Sequence, residues 1–493
     1  MIEELCGKLS AQHEIRASLI QLKQLVKEPD ALHEWRQYHV KHPVLFAFLQ
    51  DGDPKVRKNA ALLLGVTEGD AAADALYDAY CSEETLFVRS AYLIGMAGVD
   101  MSAHREELDG IYRELLAKEV PEHERKHRSE EIHALSKVLR NMTKEKCHRF
   151  YGYEAPMEVL LTTNPAYREV TARQIQSAHP RLTPAGVKVE NANLRELLGI
   201  RTYRELLFLL PGGHHIPPEP EAIAAAFVRA GVVGIMRQMH EGDAPYYFRL
   251  EIRIDMPEPQ RGILIQKAAA QIELQSGNEL INAPDGYEVE LRLTQNKDGS
   301  LYPSMKLFTI PMRRFSYRKE AVAASIHPAN AALLMQLAEP YLKEGAQVLD
   351  PFCGVGTMLI ERDMLVPAGD MYGTDIFGEA IVKARENAAA AGRAVNYINR
   401  DFFDFTHKYL FDEIVTNMPM RGRRTKEEQD AFYGIFFVRA AKLLRPEALL
   451  MLYTNEEGFV KKQLRLHKEY RLLEEFCIRK KDGFYLFLIR FKG

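Results

Sequence analysis

One short segment restricts the fold of this 493-residue chain more than any other. Residues 348–357 read Val-Leu-Asp-Pro-Phe-Cys-Gly-Val-Gly-Thr, so an apolar strand ends in Asp350 and runs into a loop with Gly354 and Gly356. Glycines let the backbone approach a ligand closely, and the start of the next helix offers free N–H groups. The segment therefore predicts the strand–loop–helix unit with which parallel α/β sheets bind nucleoside cofactors.

Strands and helices alternate from residue 313 to the end of the chain. Apolar runs predict strands at 346–350, 371–375, 395–399, 412–417, 448–454, 471–479 and 483–491. Periodic apolar positions predict helices at 356–365, 378–391, 428–444 and 456–465. The last two strands meet at residues 480–483, which read Lys-Lys-Asp-Gly and favour a hairpin turn. This order predicts a doubly wound sheet that ends in an antiparallel hairpin.

Three of these strand ends carry an acidic residue. Asp350 ends the first strand, Asp375 ends the second, and Asp401 follows the third. An acid at the end of the second strand can accept both hydroxyls of a ribose. A single aspartate in such a place is more often a helix cap or a turn former. Three in this order, each after its own strand, favour a ligand site.

With these motifs the region resembles S-adenosylmethionine-dependent methyltransferases. The resemblance implies S-adenosylmethionine as the cofactor, a sulfonium with a ribose diol, an adenine and an amino acid tail. It implies cofactor contacts from Asp350, Pro351, Cys353, Gly354, Gly356, Thr357, Asp375, Ile376, Asp401, Phe402 and Asn417. Cys353 is expected to pack under the cofactor, because neither a histidine nor a second cysteine lies nearby to support a nucleophile.

The end of the fourth strand predicts the site of the methyl acceptor. Residues 417–420 read Asn-Met-Pro-Met, whereas enzymes that methylate exocyclic amines of bases have Asn or Asp, Pro, Pro and an aromatic residue here. The resemblance implies that Asn417 and the next backbone carbonyl accept the two N–H bonds of the target amine. We predict that Asn417, Met418, Pro419 and Met420 form the catalytic motif.

Met418 and Met420 depart from that pattern, since neither supplies the rigidity of proline or the ring that would stack on a base. Three alternatives remain open. Another ring, such as Phe402, Phe432 or Tyr433, stacks on the base; the target is not a base; or the site is weak.

Basic and aromatic residues are interleaved at positions 313–319, Arg-Arg-Phe-Ser-Tyr-Arg-Lys. They offer charge for phosphates and rings for unpaired bases, although a solvated linker would look similar. Together with the following alanine-rich helix, the segment resembles the link before the catalytic domain of guanine-N2 RNA methyltransferases. We predict RNA contacts from Arg313, Arg314, Tyr317, Arg318, Arg421, Arg423 and Arg424.

The first 148 residues have a helical pattern with an internal echo. Residues 53–65 are followed thirty residues later by a similar segment, 83–95. The matched positions are Val56/Leu86, Ala61/Ala91, Leu63/Leu93, Leu64/Ile94 and Gly65/Gly95. This segment resembles HEAT-type repeats, which stack because a single repeat cannot bury its apolar face. An irregular helical bundle is the alternative.

Residues 149–312 mix strands and helices. A strand is predicted at 158–163, followed by a helix over 164–175 that begins with Asn-Pro. Residues 246–254 and 287–293 alternate strictly, which predicts strands with one buried face and one charged face in water. The region resembles the ferredoxin-like and THUMP halves that precede the catalytic domain in RNA methyltransferases.

The chain is thus predicted to be multidomain: α-helical HEAT-like repeats over 1–148, an α+β ferredoxin-like plus THUMP-like region over 149–312, and an α/β Rossmann-like class I methyltransferase domain over 313–493. The resemblance implies methylation of the exocyclic N2 of a guanosine in tRNA, with rRNA as second choice. Two alternatives are a protein or DNA acceptor, and an RNA- or partner-binding protein without catalysis.

Five scattered cysteines without a Cys-x-x-Cys pair give no sign of a metal or redox centre and favour reduced cytosol. The N-terminus lacks a basic start and an apolar core, and no apolar run approaches the ~18 residues of a membrane span. We therefore expect a cytoplasmic protein that binds no metal and no membrane. The helical repeats are a candidate surface for a protein partner.

Overall fold

The computed structural model describes residues 2–67, 70–117, 121–142, 148–191, 193–212, 216–295, 299, 301–322 and 325–493. The chain forms two compact units. One combines Met1–Gly152 with Leu209–Ile310, and the other combines Tyr153–Phe208 with Pro311–Gly493. Each unit is therefore built from two separate stretches of the chain.

The first stretch of the first unit is helical. Its elements are α1 (Ile2–Ser10), α2 (Ile15–Leu25), α3 (Pro29–Lys41), α4 (Pro54–Leu64), α5 (Asp70–Ser82), α6 (Leu86–Met96), α7 (Arg105–Ala117), α8 (Arg125–Met142) and the short strand β1 (Arg149–Phe150). Apolar side chains of these helices, among them Trp35, Leu76 and Leu135, share one buried core. The helical pattern predicted for residues 1–148 is confirmed in the part of that stretch that the structure describes.

The echo in the sequence corresponds to the packing of α4 against α6. A Cβ built on Gly65 would lie 2.6 Å from the Cα of Gly95, and one built on Gly95 would lie 2.5 Å from a carbonyl oxygen of α4. A side chain at either position would force the helices apart. Leu63 and Leu93 are both buried, whereas Ile94 is exposed. The glycine and leucine are therefore repeated because both copies lie where α4 packs against α6.

Two buried glutamates join neighbouring helices of this stretch. Glu83 accepts two bonds of 2.8 Å from the guanidinium of Arg57. Glu131 accepts bonds from Arg89 at 2.6 Å and from the Tyr80 hydroxyl at 2.7 Å. Burial alone would raise the pKa of Glu83, but the bonds from Arg57 and from Thr85 outweigh burial and lower it. Both acids are therefore matched by cations of the protein.

The stretch 153–208 contributes β2 (Glu158–Thr162), α9 (Arg168–Ala172), β3 (Arg181–Thr183), β4 (Gly186–Glu190), α10 (Leu194–Gly199) and β5 (Leu206–Leu209). Its strands lie in the order β3-β4-β2-β5 with antiparallel neighbours. The strand predicted at 158–163 is confirmed. The helix predicted over 164–175 is shorter, because the Asn164 side chain accepts a bond from the Ala166 N–H and forms a turn first.

The stretch 209–310 contributes α11 (Pro220–Arg229), α12 (Val232–Met239), β6 (His240–Glu241), β7 (Tyr246–Arg253), α13 (Glu258–Gln275), β8 (Leu280–Asn282), β9 (Val289–Gln295) and β10 (Leu301–Leu307). Strand β7 runs parallel to β8 and β9, and β9 is antiparallel to β10. Strand β6 pairs with β1.

The prediction of a solvated charged face on residues 287–293 is wrong. Glu288, Glu290 and Arg292 are all buried. Glu290 accepts a 2.8 Å bond from Arg292 and also pairs with Arg249, and Glu288 lies 2.8 Å from the His148 ring. An alternating pattern cannot distinguish a face in water from a buried face whose charges neutralise one another.

The stretch 311–493 forms the second sheet of the second unit. Its elements are α14 (Pro328–Ala338), β11 (Val348–Asp350), α15 (Thr357–Leu365), β12 (Met371–Asp375), α16 (Gly378–Ala391), β13 (Asn396–Asn399), β14 (Phe411–Asn417), α17 (Lys426–Ala441), β15 (Leu444–Thr454), α18 (Glu457–Leu466), β16 (Tyr470–Arg479) and β17 (Phe484–Phe491). The strand order is β13-β12-β11-β14-β15-β17-β16, and only β17 is antiparallel to its two neighbours. The predicted sheet with its final hairpin is confirmed.

Separate apolar cores cover the two faces of this sheet. Val348 and Val415 belong to the core that includes residues of α14, α15 and α16, whereas the adjacent Leu349 and Ile414 belong to the core with α17. Alternate residues of each strand are thus buried on opposite sides, as in other parallel sheets. The carboxyl ends of β11 to β15 meet at one edge, where ligands bind in such folds.

Among the described residues no single helix is long and apolar enough to cross a membrane. Helices α11 and α12 meet the criteria of length and composition only when they are taken together, and the two are bent by 42° relative to each other.

Candidate active site

The loop after β11 depends on two glycines with left-handed backbone angles. Gly354 has φ +51° and Gly356 has φ +82°. A Cβ on Gly356 would lie 2.1 Å from the Tyr397 hydroxyl oxygen, which is buried and bonds to no described residue. The Gly354 N–H donates to Asp375 at 2.9 Å. The loop therefore brings bare backbone to the carboxyl edge of the sheet.

Thr357 begins α15 directly after this loop. Its side chain is buried, and its hydroxyl bonds to no other described residue. A buried hydroxyl without a partner is costly, so this one points to a ligand at the start of the helix. Pro351 is held by its carbonyl oxygen, which accepts a 2.9 Å bond from Thr374.

Asp350 is 1% exposed and lies beneath the loop. Its Oδ1 accepts bonds from the Thr416 hydroxyl at 2.7 Å and from the Phe352 N–H at 3.1 Å. Burial raises the pKa of Asp350 to about 7, and the nearby Asp375 adds to this rise. In the described chain no lysine or arginine pairs with it, so a cationic ligand would stabilise its ionised form.

The three acids share one local geometry. Asp350, Asp375 and Asp401 each accept the backbone N–H of the residue two positions later, at 3.1, 2.9 and 2.9 Å. Each acid is thus a turn former and also stands at the ligand-binding edge. All three lie at or just after the carboxyl ends of neighbouring parallel strands, β11, β12 and β13. Asp401 is exposed, and Asp375 is partly exposed.

The structure corrects the prediction that the ring of Phe402 contacts the cofactor. Phe402 is 1% exposed and packs against Phe352 and Phe436 in the core. The next residue, Phe403, is only partly buried, so it has more surface for a ligand than Phe402. Two neighbouring phenylalanines after Asp401 gave no signal to decide between them. Ile376 is exposed beside the acid that ends β12.

Cys353 is packed into the sheet, because a Cβ on Gly373 would lie 2.9 Å from its sulfur. Burial first, and then the charges of Asp350 and Asp375, raise the pKa of this thiol well above its usual value. The thiol therefore stays protonated and is a poor nucleophile. Cys6, Cys81 and Cys477 are also free thiols, and Cys147 lies outside the described residues.

The acceptor motif lies at the carboxyl end of β14. Asn417 pairs with Tyr453 of β15, and the Met418 N–H donates to the Tyr453 carbonyl at 2.9 Å. The Asn417 side chain is partly exposed and bonds to no other described residue, so its amide is available. Met418 is buried, Pro419 is partly exposed, and Met420 is 59% exposed.

The structure corrects two of the predicted RNA contacts. Arg314 is buried and donates to the backbone carbonyls of Ile200, Tyr203 and Arg204. Tyr317 is buried and donates to Glu361 at 2.6 Å. Both residues therefore attach the linker to the protein itself. Aromatic and basic residues at a docking contact have the same composition as a nucleic-acid surface, which explains the error.

The remaining predicted RNA residues differ in exposure. Arg313, Arg421 and Arg423 are exposed, whereas Arg318 is partly buried. Burial lowers the pKa of Arg318. Arg424 is also partly buried, and it donates to Gln429 at 2.7 Å. In the described chain no three His, Cys, Asp or Glu side chains converge as a metal site.

Comparison with known proteins agrees with this geometry. The family described as RMKL-like, methyltransferase domain, matches residues 316–481. These residues are a methyltransferase domain. The tRNA (guanine(6)-N2)-methyltransferase of Thermus thermophilus is 33% identical over 159 residues, which are 31% of this chain and 45% of that relative. The chain thus matches less than half of the length of this relative.

Two crystal structures resemble a larger part of the chain. TrmN from Thermus thermophilus has a TM-score of 0.52 at 21% identity and covers 68% of this chain and 100% of its own. SMU.472, a putative methyltransferase complexed with SAH, has a TM-score of 0.50 at 16% identity and covers 68% of this chain and 98% of its own. At these identities the likeness shows the fold alone.

S-adenosylmethionine is the cofactor that a methyltransferase domain implies. The site fits this cation, because Asp350 is a buried carboxylate without a cationic partner and the Thr357 hydroxyl lacks a partner among the described residues. The open backbone at Gly354 and Gly356 and the carboxylate of Asp375 complete the set that would hold it. The bound cofactor supplies an activated methyl group.

Proposed function

We propose that the protein is an S-adenosylmethionine-dependent RNA methyltransferase that modifies the exocyclic N2 of a guanosine, in tRNA before rRNA. The observation that carries the proposal is the free amide of Asn417 at the end of β14, two strands from Asp375. The activity of the Thermus thermophilus relative, a tRNA (guanine(6)-N2)-methyltransferase, supports the choice of substrate.

In this proposal Asn417 and the Met418 carbonyl accept the two N–H bonds of the target amine. They direct its lone pair at the methyl group, so that the transfer is an in-line displacement. The amine nitrogen would take the methyl group, a neutral thioether would leave, and the methylated amine would release one proton to water. The reaction needs no strong base, because positioning supplies most of the rate. The base would be unpaired or flipped, because its amine must reach the methyl group.

The rest of the chain has proposed roles as well. The helical stretch is a HEAT-like platform for RNA or a protein partner, and the ferredoxin-like and THUMP-like regions bind the RNA substrate. The exposed Arg421 and Arg423 follow the acceptor motif and would neutralise phosphates near the target base. We propose a cytoplasmic location for this enzyme.

A methyl-transfer assay with matched variants tests the proposal. Asn417→Ala should lower transfer of a tritiated methyl group to small RNA about a hundredfold or more, because the amine loses its orientation. Its cofactor affinity, measured by isothermal titration, should stay close to that of the wild type. Asn417→Asp keeps an acceptor oxygen at this position and should retain measurable transfer. Asp375→Ala should instead weaken cofactor binding.

Equal transfer by Asn417→Ala and the wild type would refute the assignment of the acceptor site. Nuclease treatment of the labelled product identifies the acceptor, since a product that resists ribonuclease would be protein or DNA. Cofactor binding without any transfer would favour a binding protein on a methyltransferase fold. Mass spectrometry of nucleosides from cells that lack the protein would identify the modified base.

A further inference from the structure

The acceptor motif lacks the aromatic residue that would stack on a target base, and the structure limits what can replace it. Met420 occupies that position. Of the rings that could substitute, Phe402 and Tyr433 are fully buried, and the Tyr433 hydroxyl bonds Thr454 at 2.6 Å. Phe432 is the remaining one of the three, and it is only partly buried.

One face of Phe432 is covered by a guanidinium. The Arg424 guanidinium carbon lies 4.5 Å from the centre of the Phe432 ring. The Phe432 ring in turn lies 5.6 Å from that of Phe352, which follows Asp350 in the cofactor loop. Phe352, Phe432 and Arg424 therefore connect the cofactor loop after β11 with the loop that follows the acceptor motif.

The orientation of Arg424 is fixed by a buried partner. Its Nη1 donates to the Oε1 of Gln429 at 2.7 Å, and Gln429 is 0% exposed. The Gln429 Nε2 is buried and bonds to no described residue. A capping box between Thr425 and Glu428 begins α17 at this point and holds the loop to the helix. The guanidinium plane of Arg424 is therefore held in a fixed orientation.

We propose that the guanidinium plane of Arg424, backed by Phe432, is the stacking platform for the target base. This proposal rests on the proposed function and deepens it. Arginine planes stack on unpaired bases, and their charge also favours an RNA strand. The exposed side chain of Met420 would add apolar contact at the edge of the base. The missing aromatic residue is thereby replaced by a residue seven positions after Asn417.

Replacing Arg424 with lysine separates stacking from simple charge attraction. If the plane stacks on the base, Arg424→Lys and Arg424→Ala should both raise the KM for RNA about tenfold, because neither has a planar group. The dependence of RNA affinity on salt should stay the same for Arg424→Lys. Phe432→Leu should show a similar defect, since it removes the ring behind the guanidinium.

Arg465, exposed in the last turn of α18, is the matched control, and Arg465→Ala and Arg465→Lys should behave like the wild type. Thermal melting of every variant separates a fold defect from a binding defect. Full affinity of Arg424→Lys with loss in Arg424→Ala would overturn the proposal, since a phosphate contact would explain that result. Normal KM in Arg424→Ala would also overturn it.

A second assay keeps the stacking proposal separate from the proposed function. Binding of a short fluorescent single-stranded RNA that contains one guanosine is measured without methyl transfer. If the wild type methylates RNA but the Arg424 variants bind this oligonucleotide normally, the platform is wrong and the function stands. If the wild type methylates no RNA, the function fails, and the platform is upheld only where both Arg424 variants still weaken binding.

Discussion

The helical stretch and the methyltransferase domain use glycine and buried acids in opposite ways. Gly65 and Gly95 have ordinary helical backbones, and their missing side chains let α4 and α6 touch. Gly354 and Gly356 have positive φ, and they leave backbone bare at the edge of a sheet. The same residue type thus serves internal packing in one region and ligand access in the other.

The acids differ in the same way. Glu83 and Glu131 are satisfied by Arg57 and Arg89, whereas Asp350 has no cationic partner in the described chain. A structural site matches its own charges, while a binding site leaves a charge for the ligand to match. An unmatched buried acid therefore separates the two regions better than glycine content does.

The largest expected effect comes from Gly356→Ala. The new Cβ would clash with the Tyr397 ring and hydroxyl. The alanine would also have to adopt the positive φ of this position, which costs a non-glycine residue about 1–2 kcal/mol. We expect cofactor affinity to fall about a hundredfold or more by isothermal titration, since overpacking adds a similar penalty. Gly345→Ala is the control: it also has positive φ but no close neighbour, and it should keep its cofactor affinity.

Gly95→Ala should separate stability from binding. The added Cβ would lie 2.5 Å from the carbonyl oxygen of Ala61, and backbone cannot move aside easily. We expect a loss of about 1–3 kcal/mol in the free energy of unfolding of the helical stretch, measured by denaturant titration. Cofactor affinity below the unfolding transition should be unchanged. A parallel loss of affinity would contradict the division of roles.

The charge of Asp350 predicts a pH dependence of cofactor binding. Its pKa of about 7 means that the carboxyl is protonated below this pH, and a cation prefers the ionised form. Affinity should therefore rise with pH, by about tenfold from pH 6 to pH 8. Titration calorimetry of Asp350→Asn should show a flat profile in this range.

Without cofactor, the contribution of Asp350 to folding stability has the opposite pH dependence: it falls as pH rises. The folded-state pKa of Asp350 lies above the unfolded value, so the protonated carboxyl stabilises the fold at low pH. This contribution is lost as pH rises through about 7. A cofactor-free protein whose melting temperature increased through this range because of Asp350 would contradict the burial argument; Asp350→Asn provides the reference.

The smallest expected effect is a gain. Gly110 lies inside α7 with helical backbone, and a Cβ there would meet no atom within 4 Å. Gly110→Ala should therefore stabilise the helical stretch by about 0.5–1 kcal/mol, measured as a higher denaturation midpoint. Destabilisation would mean that glycine in this helix has a contact that geometry does not reveal.

Much of the methyltransferase domain could be predicted because its strands are short apolar runs with distinct ends. Strand β12 has the predicted bounds, Met371–Asp375. Strand β15 begins at Leu444, four residues before the predicted start. The prediction missed these residues because the polar Arg445 and Glu447 and the proline between them interrupt the apolar run. The positions of the three acids also followed from strand order.

The errors have one common cause, since a sequence does not show what covers a side chain. Phe402 and Phe403 are identical in type, yet one is buried and the other partly exposed. The charge of Arg314 suggested an RNA contact and that of Glu290 a face in water, but backbone carbonyl oxygens accept from Arg314 and arginines pair with Glu290. The role of Arg424 depends on its distance to Phe432, which no spacing reveals.

The methyltransferase domain shares its compact unit with residues 153–208, although 209–310 lie between them in the chain. Arg314 and Glu361 bind that earlier segment directly, through the Tyr203 carbonyl and the Arg201 guanidinium. During synthesis, residues 153–208 must therefore wait for their counterpart from residue 311 onward, which is made later. A fragment cut before Arg313 would expose unpaired charges, so a soluble minimal enzyme should keep both stretches joined.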